Sequence, residues 1–413
     1  MSAAIDGPAT SGRVMPQSSI VPDAEDLPLN GFRVLDLGRL FNGPYAGLLL
    51  ALAGAEVIKV EPPQGDTMRH SDYPFRAMNG CKRGIVLNLK AERGREILLE
   101  LARHVDVLLE NYAPSFLPKL GLTPETFLEV NPRLVYASGS GFGRSGPYKD
   151  NIALDLNVQA IGGVMSTTGE IDGRPLKTGV PVVDIMSGVH LFAGITTALV
   201  ARERTGRGRV VEVSMLESIF PALLPAAGHA YASNAVPRRT GNRHVADSYV
   251  PFDTFETSDG WIAIVCATDE HWAKLATAMG RPDLRDSDSL RGLSGRVEQI
   301  DLVTEAIAQW AAIRTRKEVA ALCHQFSVPA APLRDVKEVL NDPHLHARGF
   351  LAQTETEAGS VALPNSPIRY GAAPLRPLTP SPALGEDTDA VLSGLCGFDA
   401  ATLAELRRNG VIR

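Results

Sequence analysis

The residues best placed to do chemistry lie in GRPLKTGVPVVDIMSGVHLFAGITTALVARERTGRG, where Asp184 stands between an extended, proline-containing run and a long helix. Ile185, Met186, Val189, Phe192 and Leu199 give that helix an apolar face, and Gly206 ends it. One reading makes Asp184 an N-cap that accepts backbone N–H bonds. The other makes it a nucleophile, because the helix dipole and N–H donors hold a carboxylate ionised. The two are compatible. A second stretch, LVYASGSGFGRSGPYKDN, contains GFGRSG, a literal G-x-G-x-x-G after an apolar strand. A dinucleotide site requires a helix to begin within that motif and take the pyrophosphate on its N-terminus. Here Gly146 is followed by Pro147, Tyr148, Lys149, Asp150 and Asn151, a polar, turn-forming run. The helix that the fingerprint requires is therefore not indicated.

These groups need a frame to hold them. From residue 32 the chain alternates strand and helix signals: FRVLDLG, PYAGLLLALAG and AEVIKVEP, then IVLNLK, the helix AERGREILLELARHV, the strand DVLLENY, the helical SFLPKLGLTPETFLEVNP and the strand RLVYASGS. That alternation predicts an α/β fold with a Rossmann-like, doubly wound and mostly parallel sheet. A dinucleotide fingerprint belongs at the first strand-to-helix turn of such a sheet, and the turn there reads GRLFNGP, which does not fit. After residue 205 the texture changes, and DGWIAIVCATDEHWAKLATAMG followed by two helices predicts a smaller α/β domain. In the first of those helices Val303, Ile307 and Trp310 share one face, as core residues do. The expected organisation is a disordered leader over 1–29, a large Rossmann-like domain over 30–219 and a small α/β domain over 220–330. An extended linker and a C-terminal return to the large domain occupy 331–413.

Composition narrows the partner. The chain has 413 residues, 44% of them hydrophobic, and a net charge of −6, so a full core is available and a bulk nucleic-acid or membrane-surface binder is disfavoured. A small molecule is expected. Cys81, Cys266, Cys323 and Cys396 are far apart, with no C-x-x-C pair, which suggests neither a disulfide framework nor zinc and places the chain in a reducing cytoplasm. His344 and His346 lack partners at metal-ligand spacing. The longest apolar stretch, YAGLLLALAGAEVI, is too short to span a bilayer.

The motifs RVLDLGRLFNGPYAGLLLALAGAEVIKVEPPQGDTMRH, CKRGIVLNLK, DVLLENY, VDIMSGVHLFAGITTAL and RTGRGRVVEVSMLES resemble those of the family III CoA transferases, from about residue 30 to the C-terminus. That group includes formyl-CoA transferase, carnitine CoA transferase and the α-methylacyl-CoA racemases. The resemblance implies that Asp184 is a catalytic aspartate which attacks the thioester of an acyl-CoA, passes through a mixed anhydride and an aspartyl-CoA thioester, and hands CoA to an acceptor acid. Asp155 is implied as a second catalytic residue, matching a glutamate of formyl-CoA transferase. Leu154 stands where the racemases carry a histidine, so transfer is favoured over racemisation. Leu40, Phe41, Lys90, Asn111, Tyr112 and Lys119 match CoA-contacting positions. Phe41 replaces a glutamine of formyl-CoA transferase, which argues for a different acyl group. Arg69 and Arg83 are basic residues placed near phosphates. The resemblance also implies that Gly141 and Gly143, in GFGRSG, lie beside the pantetheine or acyl pocket, where absent side chains allow close backbone approach. Arg243 and His244, in PRRTGNRH, are candidates for a dicarboxylic acceptor. The resemblance further implies no tightly bound cofactor, with the CoA thioester as substrate, and an interlocked homodimer without nucleic-acid or membrane partners.

Overall fold

Six short runs rich in valine, leucine and isoleucine form one sheet: β1 (Arg33–Asp36), β2 (Glu56–Glu61), β3 (Lys82–Val86), β4 (Val107–Glu110), β5 (Val135–Ser140) and β6 (Arg209–Ser214). The computed structural model describes residues 27–356, 359–371 and 375–413. The strands lie in the order β3-β2-β1-β4-β5-β6, every neighbouring pair parallel. Side chains alternate between the two faces of the sheet, as a pleated strand requires. Leu35, Ile58, Leu108 and Tyr136 enter one core. Val34, Val57, Val107 and Val135 enter the other. Helices cover both faces, which is why the strands read as nearly continuous apolar runs. The fold expectation of a Rossmann-like parallel sheet is met at this level.

Three further elements complete the frame. A separate antiparallel sheet, β7 (Phe252–Thr257), β8 (Gly260–Val265) and β9 (Ala330–Pro332), packs on its own core, in which Val303, Ile307 and Trp310 are buried. A hairpin, β10 (Leu351–Thr356) and β11 (Gly359–Pro364), follows. It is preceded by the short helices Val336–Leu340 and Pro343–Ala347, so residues 331–364 are more structured than an extended linker. Local capping explains the difference: Asp335 and Glu338 form a capping box, and Asp342 accepts from the N–H groups of His344 and Leu345. The described part of the proline-rich stretch runs beside β3, where Cys81 N–H donates to Thr379 O at 3.1 Å. It thereby covers that sheet edge. The helices Thr388–Cys396 and Ala400–Arg408 then bury Leu392, Leu403 and Leu406 in the first core.

The expected leader lies outside the described residues up to residue 26. Its last residue belongs to the fold, because Leu29 is buried and its N–H bonds Ala53 O at 2.9 Å. GFGRSG forms bends between β5 and the helix Asp155–Ile161, and no helix begins within it. The helix Val182–Thr205, alone among the described residues, is long and apolar enough to cross a membrane. Leu191, Ile195, Ala198 and Leu199 instead pack it against the sheet, while Val189 and Val200 remain exposed.

Candidate active site

Strand order reverses between β1 and β4, and the carboxyl ends of strands at such a switch point are where open α/β sheets bind ligands. The turn leaving β1, Gly38–Phe41, is held there from below by buried charge. Asp36 accepts from Gly38 N–H at 2.8 Å through one oxygen and from Lys82 Nζ at 2.7 Å through the other. Lys59 donates to Gly38 O at 2.9 Å and to Asp66 at 3.1 Å. Burial pushes the Lys82 ammonium down to about 8 against the opposing pull of Asp36. From the side, Asn111 clamps the same turn: its Oδ1 accepts from Arg39 N–H at 2.7 Å, and its Nδ2 donates to Arg39 O at 2.7 Å and to Asn42 Oδ1. Leu40 is driven to a φ of +60° at the apex. Gly43 admits the turn because a Cβ there would sit 2.9 Å from Gly38 Cα.

Two cavities flank this turn. One, of about 570 Å³, is lined by Arg39, Gln64, Lys90, Tyr112, Phe116 and Leu120 among others. Tyr112 and Phe116 stack there at 4.5 Å, a platform suited to a flat heterocycle. The second, of about 240 Å³, is lined by Leu40, Asn42, Asn111, Tyr112, Gly139, Ser140, Gly141, Leu154 and Asp184. Tyr112 lines both, so the two cavities are neighbours on this face of the sheet. At Gly141 a Cβ would stand 2.0 Å from that of Ala153, so any side chain would push the loop open.

Asp184 is the third residue of the helix Val182–Thr205, and the N-cap position is Pro181, which offers no side-chain cap. Asp155 supplies the cap from another helix: its Oδ2 accepts from Val183 N–H at 2.9 Å and Asp184 N–H at 3.2 Å. Gln159, fully buried, fixes Asp155 by donating from Nε2 to Oδ1 at 2.5 Å and accepting from Thr178 N–H at 2.9 Å. Asp184 is therefore not the N-cap, and the expectation that dipole and N–H donors hold it ionised is corrected. Asp155 takes the free amides and offsets the positive helix end with its own charge. Burial first, and Asp155 second, push the Asp184 carboxyl up to about 7. Among the described residues no donor bonds the Asp184 carboxylate, which leaves its oxygens open to the cavity.

The other expected positions divide. Leu40, Asn111, Tyr112 and Gly141 line the Asp184 cavity, and Lys90 lines its larger neighbour, where its ammonium has no ion pair among the described residues. Asn111 does so with its amide already bonded to the turn. Phe41, half-buried at the end of the turn, lines neither cavity, and Lys119 is exposed beside Leu120 without lining either. Gly143 is likewise outside, where its N–H bonds Ser140 Oγ at 3.0 Å. Arg69 and Arg83 are not free for phosphate. Arg69 is bidentate on Glu61 and lies over Phe75, facing a different cavity, while Arg83 pairs with Glu56 at the start of β2 and with Asp387. Arg243 and His244 line a separate cavity with Arg238 and Phe252, and Arg243 pairs with Asp247 at 3.2 Å.

Sequence reasoning missed Arg39, whose buried Nε has no partner among the described residues, as well as Asn42 and Gln159. It also missed the Asp36–Lys82 and Lys59–Asp66 pairs, although the charges inside the runs RVLD and EVIKVE were a readable signal. Charged side chains in fully apolar strands must find partners.

This fold and site define an open α/β protein with two neighbouring cavities at the switch point of its parallel sheet. The chain belongs to CoA-transferase family III, whose model matches residues 29–388, and it is an enzyme of the CoA-transferase type. It is 35% identical over 402 residues to the succinyl-CoA–L-malate CoA-transferase beta subunit of Chloroflexus aurantiacus, covering 94% of this chain and 98% of that protein. It is 35% identical over 389 residues to the succinate–glutarate CoA-transferase of Agrobacterium fabrum, covering 89% and 96% respectively. A CAIB/BAIF family protein from Brucella suis superposes with a TM-score of 0.79 at 34% identity, over 89% of this chain and 99% of that one.

Proposed function

We propose that this enzyme moves CoA from an acyl-CoA donor of the succinyl-CoA type to a dicarboxylic acid, through a covalent aspartyl intermediate at Asp184. The observation that carries the reading is the unbonded Asp184 carboxylate, set in a cavity that shares Tyr112 with a larger one whose cations, Lys90 and Arg39, have no ion pair among the described residues. The nucleotide of CoA would lie in the larger cavity, against Tyr112, Phe116, Lys90 and Arg39. The thioester would reach Asp184. Attack forms an acyl–aspartyl anhydride and releases CoA thiolate, which returns to the aspartyl carbonyl and frees the first acid. The acceptor carboxylate then reverses both steps. A carboxylate raised to about 7 is more basic, and so a better nucleophile, than an ordinary aspartate, at the cost of being half protonated at neutrality. The kinship with the Chloroflexus and Agrobacterium proteins supports a dicarboxylic acceptor. Leu154 offers no proton-transfer group at the cavity, which supports transfer over racemisation.

An interlocked homodimer in the cytoplasm belongs to the same proposal. Leu224, Tyr231 and Val236 are exposed by 59%, 92% and 85%, and the helix Leu224–Ser233 buries no side chain within its own chain, which is apolar surface in want of a partner. Arg243 and His244 would serve the acceptor only if such a partner brings them to the site.

One experiment tests the assignment. The enzyme is incubated with succinyl-CoA, acetyl-CoA or formyl-CoA and its peptides are weighed with and without hydroxylamine. A hydroxylamine-sensitive adduct on the peptide holding Asp184 is expected, and its absence with every donor, CoA binding being intact, would refute the intermediate. Native mass measurement of the same sample weighs the assembly, and a 44.2 kDa monomer throughout would refute the dimer.

The pH dependence follows from the same carboxyl group. Because the ionised form attacks, kcat/KM is expected to fall about tenfold per pH unit below a limb near 7. In Asp155→Asn the neighbouring charge is gone while an amide oxygen still faces the helix. The limb should therefore move to lower pH, yet stay above the ordinary carboxylate range because burial is the larger cause. An unmoved limb would show that Asp155 does not act on Asp184 electrostatically.

A further inference from the structure

Asn42 is 3% exposed and lines the Asp184 cavity. Its amide orientation is forced by a chain of hydrogen bonds that starts at the backbone. Arg39 N–H can only donate and Arg39 O can only accept, which settles Asn111 with Oδ1 towards the first and Nδ2 towards the second. The second hydrogen of Asn111 Nδ2 then goes to Asn42, and Gly43 N–H donates to Asn42 at 2.8 Å, so the atom receiving both is Asn42 Oδ1. Asn42 Nδ2 is left on the far side. No acceptor bonds it among the described residues, and it does not count among their buried unsatisfied atoms, so it reaches open space. A Cβ placed on Gly139, itself a wall of the cavity, would be 3.1 Å from Nδ2. One placed on Gly188, a turn beyond Asp184 on the same helix, would be 2.8 Å from Asn42 O. The first turn of the helix Asn42–Leu52 therefore meets the second turn of the helix holding Asp184, one turn beyond that residue.

We propose that Asn42 is a catalytic residue whose Nδ2–H groups bind the oxyanion formed when the Asp184 carboxylate adds to an acyl-CoA thioester. This rests on Asp184 being the nucleophile. In that step a C–O bond forms to the aspartate oxygen, the carbonyl π pair moves to oxygen, and its collapse expels CoA as thiolate with no proton transferred. A donor whose orientation is already fixed stabilises that charge without reorganising. The positive end of the helix Asn42–Leu52 adds in the same direction. Free CoA has no thioester carbonyl to develop an oxyanion, so it makes no use of the donor.

The test compares the complete enzyme with Asn42→Ala and with Asn42→Asp, which keeps an oxygen for Gly43 and Asn111 but lacks the donor. With succinyl-CoA, or whichever of the three donors labels Asp184, the rate of adduct formation on the plateau above the acid limb should drop about 100- to 1,000-fold. The Kd for free CoA and the acyl-CoA KM should stay within about threefold. A labelling rate within about tenfold of the parent in either variant overturns the proposal. So does a parallel loss of free-CoA affinity in both variants, which would assign Asn42 to holding the turn. Failure of the underlying reading is separately visible, as no label on Asp184 in the unaltered enzyme.

Discussion

Asp184→Asn is expected to abolish CoA transfer, by a factor on the order of 1,000 or more, while leaving the fold and the affinity for free CoA in place. The amide matches the carboxyl in shape but cannot form the anhydride or the aspartyl thioester. Stability should not suffer, and its sign follows from the carboxyl group's position. The folded protein holds the Asp184 proton up to about 7, against an ordinary value of 3.8. Its contribution is therefore most favourable below about 3.8 and is lost as the pH rises through 7. At pH 8 the variant should melt at or above the parent temperature, and the gap should narrow on acidification. Stopped turnover with an unchanged or raised Tm supports the nucleophile. Substantial residual turnover rules it out, and a lowered Tm at pH 8 rules out the burial argument.

Breaking the Asp36–Lys82 pair should produce the largest loss of stability. The two groups meet at 2.7 Å with both side chains fully buried, and Asp36 also holds Gly38 N–H. Asp36→Ala strands a buried ammonium and Lys82→Met strands a buried carboxylate, so each should cost about 3–5 kcal/mol in denaturant unfolding. The double variant should lose less than the sum, because no uncompensated charge is left. Asp36 pulls the Lys82 proton on, so in Asp36→Ala the ammonium should shed its proton at a lower pH than in the parent, and the loss should deepen on acidification. The turn Gly38–Phe41 rests on this pair, so CoA affinity should fall with stability in each single variant. Single losses below about 1 kcal/mol would show that the turn is held elsewhere.

The contrast between Asp184 and Asp155 shows how far a sequence carries this kind of argument. Proline and glycine breaks marked the start of the helix Val182–Thr205 and so placed Asp184 in its first turn. That position alone predicts a lowered carboxyl. The tertiary structure reverses the sign, because Asp155 arrives from another helix and occupies the amides that Asp184 would have used. Arg83 teaches the same lesson: its charge was legible, but its pairing with Glu56 and Asp387, 304 positions away in the second case, was not.

By itself the sequence determined the alternation of strand and helix, the two-faced burial of the parallel sheet, the absence of a dinucleotide helix in GFGRSG and the family. These are properties of local periodicity and of motifs read along the chain. Tertiary structure decided which carboxylate is free and which is bonded, which way the Asn42 amide points, and which cations remain unpaired at the cavity. Each of those depends on partners remote in sequence. Burial sets the energy of a charge or an amide only once its neighbours are in place.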